Sequence, residues 1–245
     1  MIRYGVSLLM VLTATPLQAQ PVNDYQAVYR ILPLQGETPI GEQRVAQRWD
    51  RQHNRYVQQA SIEFSWKILL STHQYHYQDE VFYGVDNSLS YSLHENNDGK
   101  TRTVTGELSE RSPTLLLNID DGQGKRQKSI DKTQFDYSLF ALRFPIPCSP
   151  QLVGSQIRAR SLVPISGDIV STVSSYVGMT DLRLPGVAEP FNDLCLIETT
   201  GSSKEMNRHS WVNRDGYLVY QISANYRLLL VEAASNLPSN NREKP

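Results

Sequence analysis

The chain has 245 residues, with 24 basic and 25 acidic side chains, a formal charge of −1, and both signs spread along its length. That balance excludes the basic stripe a phosphate backbone requires and the polybasic cluster an anionic membrane surface attracts, so no nucleic-acid partner is expected. The length suits one large β domain, or two small ones, with a proper core.

The chain opens on a secretory signal pattern. Arg3 supplies the positive charge, Gly5 to Ala14 is apolar, and Leu17-Gln18-Ala19 ends on a small residue, so cleavage is expected near Ala19. A bilayer-spanning helix needs about 20 apolar residues, and Pro16, Gln18 and Gln20 end this run early. No other segment approaches that length, so the chain is expected not to span a membrane after cleavage. No cysteine follows the apolar run to signal lipid attachment. The expected organisation is a signal peptide over 1–19, a single antiparallel β domain over 20–235 and a disordered polar tail over 236–245.

Period-two patterning dominates the chain beyond the signal pattern. Tyr25, Ala27, Tyr29 and Ile31 alternate with Gln26 and Arg30; Ile62, Phe64, Trp66 and Ile68 alternate with Ser61, Glu63, Ser65 and Lys67; Leu89, Tyr91 and Leu93 alternate with serines. Such alternation marks strands with one buried face. Asp98-Gly99, Asp121-Gly122 and Asp215-Gly216 separate strand-like runs and suit the positive φ angles of hairpin turns. Strands are expected near 24–32, 40–50, 55–68, 71–83, 88–95, 101–109, 114–119, 125–130, 155–163, 168–178, 193–200, 208–213, 217–224 and 226–232. The fold class is therefore all-β and mainly antiparallel: a meander, or partly open barrel, with one short helix. That helix is expected over 133–144, where Phe135, Leu139 and Leu142 recur at helical spacing, Thr133 and Asp136 resemble a capping box, and Pro145 stops the run.

Cys148 and Cys195 are the two cysteines of the chain. In an exported protein an isolated pair reads most simply as one disulfide, with two buried thiols or a redox or metal pair as rival readings.

No nucleophile elbow or phosphate-binding glycine loop is found. His73 and His76 are three apart on a strand, which sends them to opposite faces. Asp79 and Glu80 are neighbours and diverge for the same reason. No catalytic residue, metal site or cofactor is assigned. A surplus of large aromatic side chains remains. Phe64, Trp66, Tyr75, Tyr77 and Tyr83 form a candidate apolar face, which fills the core of a closed barrel or lines a ligand groove in an open one.

Several segments carry a family resemblance: the export signal, the first strand with Tyr25 and Tyr29, Gly41 at the start of the next, the run Phe135-Asp136-Tyr137-Ser138-Leu139-Phe140-Ala141-Leu142-Arg143, and the hairpin Trp211-Val212-Asn213-Arg214-Asp215-Gly216-Tyr217-Leu218-Val219. With these the chain resembles the bacterial envelope proteins grouped as domain of unknown function 3108. Val219-Tyr220 stands where that hairpin usually carries a proline. The resemblance implies an antiparallel, partly open β-barrel in the periplasm and transfers no catalytic residue. The expected function is a non-catalytic binding module for an apolar small molecule or lipid, or for an envelope protein. The alternatives are an envelope assembly or structural factor, acting through a strand edge or the Tyr217–Ile222 face, and a hydrolase with a dispersed site.

Overall fold

The computed structural model describes residues 24–68, 71–84, 88–109, 111–138, 146–184, 187 and 189–235. The expected signal peptide, the polar tail and 139–145 lie outside them. The described chain forms one 15-stranded sheet. In chain order the strands are β1 Tyr25–Leu32, β2 Gly41–Asp50, β3 Arg55–Ile68, β4 Ser71–Gly84, β5 Leu89–Asn97, β6 Lys100–Leu108, β7 Thr114–Asp120, β8 Lys125–Asp131, β9 Tyr137–Ser138, β10 Gln156–Val163, β11 Asp168–Leu182, β12 Phe191–Gly201, β13 Arg208–Val212, β14 Leu218–Ser223 and β15 Arg227–Ser235. Each of the fourteen expected strands is present, and β9 is an addition. Sequential neighbours pair antiparallel, apart from β8 and β9, which do not pair, and the short parallel pairing of β9 with β10.

The turns follow the expected chemistry. Asp98 and Gly99 have φ of 51° and 79°, both left-handed, which matches a two-residue hairpin that keeps the strand twist. Gly122 and Gly216 have φ of 78° and 84°.

Topology forces the sheet to curl. β1 and β15, the first and last strands, pair in the middle of the order, and β8 and β9 are its two edges. Laid flat, fifteen strands would span roughly 67 Å. Yet β8 and β9 are joined by residues 132–136, a link that reaches about 20 Å at most. The edges must therefore approach, and side chains bridge them. Lys128 on β8 sits 3.1 Å from Asp168 on β11. The Asp136 N–H donates to the Arg160 carbonyl at 2.8 Å, and the Arg160 guanidinium returns to the Asp136 carboxylate at 2.7 and 3.3 Å. Leu162, fully buried, belongs to the same buried cluster as Val81, Leu117 and Ile130. No backbone ladder joins β8 to β9, so the roll is not a closed barrel.

The described half of the expected helix is something else. Residues 132–134 form a 3-10 turn and Tyr137–Ser138 is a strand. Its cap is Asp131 rather than Thr133: the Asp131 carboxylate accepts the Thr133 N–H at 2.8 Å and its hydroxyl at 2.7 Å. Phe135 packs on the β4–β8 core and Asp136 is committed to Arg160, so tertiary contacts override a helical period carried by few apolar residues.

The inner face holds two clusters. One gathers Tyr25, Ala27, Tyr29, Ile31 and Val45 with Tyr176, Ile197, Val212, Leu218 and Leu228. The other gathers Tyr77, Val81, Tyr91, Leu93 and Val104 with Leu115, Leu117 and Ile130. Ile62 packs against both. Full burial of such a side chain stabilises by about 1.5–3 kcal/mol. Cys148 and Cys195 form a disulfide that ties residues 146–152 onto the first cluster.

Candidate functional site

The register places all five aromatic candidates on the inner face. Phe64 pairs with Tyr75, Ile62 with Tyr77, Trp66 with His73, and Tyr56 with Tyr83. The structure brings three of them together at the end of the roll that carries the β3–β4, β5–β6 and β14–β15 turns. Phe64 lies 5.2 Å from Trp66 and 5.0 Å from Tyr75 between ring centroids, and all three are half-buried. Tyr226, in the β14–β15 turn, joins at 6.3 Å from Phe64, and His73 stacks on Trp66 at 5.3 Å. The other two candidates stand apart. Tyr77 is buried at 8% exposure in the second cluster, and its hydroxyl donates to Asp79. Tyr83 is eight residues from Tyr75, about 26 Å along the strand.

A polar rim adjoins the rings. The Tyr75 hydroxyl donates to Glu95 Oε1 at 3.0 Å, and Arg102 Nη1 lies 3.9 Å from Glu95 Oε2. Burial, with the Glu95 carboxylate beside it, pushes the Tyr75 phenol well above its ordinary value. Arg102 Nε is a buried donor with no hydrogen-bond partner among the described residues. A buried guanidinium N–H left unpaired is costly, so the site favours an acceptor there.

Side-chain alternation disperses the residues a hydrolase would need. His73 faces inward and hydrogen-bonds Asp98 at 2.5 Å, while His76 faces outward and lies 3.0 Å from Glu63. Asp79 faces inward; Glu80 faces outward, accepting from Gln59 at 2.8 Å. His73 and Asp79 share a face but are six residues apart, about 20 Å along the strand. Among the described residues, no group of three or more His, Cys, Asp or Glu is placed to hold a metal. The Tyr217–Ile222 segment is not an open surface either. β14 lies between β13 and β15, and Tyr217, Leu218, Val219 and Tyr220 are buried.

Asp79 is a buried carboxyl on an apolar face. It accepts the Ala60 N–H at 2.9 Å and the Tyr77 hydroxyl at 2.8 Å. Burial outweighs both bonds and pushes its pKa up to about 6. A carboxyl whose folded pKa lies above its unfolded value favours folding fully below the unfolded value, 3.8, and loses that contribution as pH rises through about 6. The Asp79→Asn variant keeps an acceptor for Ala60 and removes the buried charge. It is expected to be more stable than the parent by about 2 kcal/mol at pH 8, with the gap closing below pH 4. Urea melts at both pH values check this. A gap that does not change with pH would contradict it.

Comparisons place the fold and go no further. No family model matches the chain, and no curated protein matches it. A solved structure, described as a β-barrel-like protein of domain of unknown function DUF1849 from Brucella abortus, is similar at a TM-score of 0.60 and 9% identity, covering 89% of this chain and 99% of that one. At that identity the likeness concerns the fold alone. A disulfide-bonded β-barrel-like fold is compatible with an exported protein. Among the described residues no helix is long and apolar enough to cross a membrane.

Proposed function

We propose that this chain is an exported, periplasmic binding module that takes an apolar ligand with an oxygen-bearing head at the aromatic end of the rolled sheet. One observation carries the reading: Phe64, Trp66 and Tyr75 sit on the inner face yet are only half-buried, where completed packing would enclose them. Rings left part-open on an inward surface offer an apolar tail a large area at little ordering cost. The unpartnered Arg102 Nε beside them supplies a donor for the head. No backbone ladder joins the roll's two edges, so modest widening there breaks no strand pairing. The signal pattern over 1–19 and the resemblance to envelope proteins of the domain 3108 type support the compartment.

Trp66 makes the site directly observable. In a variant with Trp49→Phe and Trp211→Phe, titration with dodecanoic acid is expected to give a saturable blue shift of Trp66 emission. Adding Phe64→Ala should weaken binding roughly tenfold, the loss of one aromatic contact of about 1.4 kcal/mol. The reading fails if emission does not change saturably and protein purified from the periplasm carries no bound mass in native mass spectrometry.

A further inference from the structure

The opposite face of the same strands carries a second concavity, independent of the aromatic end. A depression of about 810 Å3 crosses β1 to β6 at mid-length. Five interstrand spacings make it about 24 Å long. Its volume lies in the range of small-molecule sites. Its chemistry is the reverse of the inner face. Gln26, Gln59, Gln78, Ser61 and Ser92 line it, and no Phe, Tyr or Trp does. The concavity follows from the sequence: serines and Ala46 occupy the middle of strands whose outward neighbours are long.

Two properties select a ligand. The first is unused hydrogen-bonding capacity with no unpaired lining Lys or Arg among the described residues to hold an anion. Arg44, the lining cation, is paired with Glu42 at 2.5 Å, and Glu80 accepts from Gln59 at 2.8 Å. The side chains of Gln26, Gln78, Ser61 and Ser92 have no hydrogen-bond partner among the described residues. Amides and hydroxyls both donate and accept, which matches a ligand whose groups do the same. The second property is that the depression lies on a sheet face. Every lining strand but β1 is flanked by strands of the same depression or by β7, and β1 pairs with β15, so no strand edge opens into it. An extended peptide gains its affinity from pairing with such an edge, and a docked helix needs an apolar groove. Neither is offered.

We infer that this outer depression is a binding site for an uncharged polyhydroxylated chain, a neutral oligosaccharide, held by the Gln26–Gln59–Gln78 amides across β1 to β4. Without a stacking ring the affinity is modest, with a Kd of about 1 mM.

Side-chain amide resonances report on the site. The mature chain labelled with nitrogen-15 is titrated separately with chitohexaose and with cellohexaose. The expected result is saturable shifts of the Gln26, Gln59 and Gln78 side-chain amides with at least one of them. The Ser61→Leu/Ser92→Leu variant, which fills the depression without adding a ring, should bind at least tenfold more weakly while its backbone spectrum outside β2–β6 stays unchanged. Gln78→Ala, a smaller change, should weaken binding about threefold. The inference is overturned if neither saccharide gives saturable shifts, if the filled or truncated variants bind as the parent does, or if a neutral extended decapeptide binds the same amides more tightly. Shifts confined to Phe64, Trp66 and Tyr75 also overturn it without touching the aromatic-end reading.

Discussion

Removing the disulfide by the double change Cys148→Ala/Cys195→Ala is expected to lower the unfolding free energy by about 4 kcal/mol. The bridge closes a loop of 47 residues, and loop-closure entropy restored to the unfolded chain accounts for that figure. For a chain of this size the melting temperature should fall by about 8–16 °C. The loss has a definite location. Residues 146–152 follow the connection from the far edge of the sheet and lie on the first cluster, and beside the disulfide they are held by the Ile146 N–H donating to Gly216 at 3.0 Å. The Gly154–Tyr176 and Tyr176–Ser155 backbone bonds, 2.8 and 3.0 Å, hold the following turn and should survive. Amide exchange in the variant should therefore accelerate first over 146–152. A stability change under about 1 kcal/mol would mean that the surrounding packing already fixes this segment.

Most of the fold was legible because a strand writes its two faces into alternate residues. β3 and β4 show Phe64, Trp66, Tyr75 and Tyr77 on one side and Glu63, His76 and Glu80 on the other, and the register confirms both assignments. β9 was not legible, since two residues hold no period. The helix expected over 133–144 rested on a few apolar residues at spacings that a turn followed by a strand also satisfies. The candidate site was legible in part. The face was right, but alternation cannot tell which inward rings will be capped by other strands. Tyr77 is enclosed and Phe64 is not because of where the curl closes, which depends on contacts far apart in sequence. Tyr226 reaches Phe64 only because β15 returns beside β1. Asp79, by contrast, was within reach of the sequence: it shares parity with Tyr75, Tyr77 and Val81, and a carboxylate in such a row is a signal in itself.

The change Gly41→Ala is expected to be more damaging than any other single methyl addition at a strand glycine of negative φ. A Cβ at Gly41 would stand 2.0 Å from the Glu63 carbonyl oxygen and 2.3 Å from the Phe64 Cβ. The first obstacle is backbone and has no rotamer to escape into. Ordinary overpacking costs about 1–3 kcal/mol, and a backbone clash in the middle of a sheet should reach about 4 kcal/mol or more. The control is Gly178→Ala, where a Cβ meets nothing within 4 Å; it should lie within about 1 kcal/mol of the parent. Urea melts rank the three proteins, and soluble yield ranks them if the first variant fails to accumulate. Gly41 also bears on the candidate site, because it pairs with Phe64 across β2 and β3 and a Cβ there would press on the Phe64 Cα and Cβ, from which that ring projects. Whatever Gly41→Ala remains folded at low temperature should show Trp66 emission displaced from that of the parent, together with weakened uptake of dodecanoic acid. A stable variant with unchanged emission would show that β2 and β3 can separate locally at no cost, and the aromatic cluster would then owe its arrangement to something other than the bare backbone beneath it.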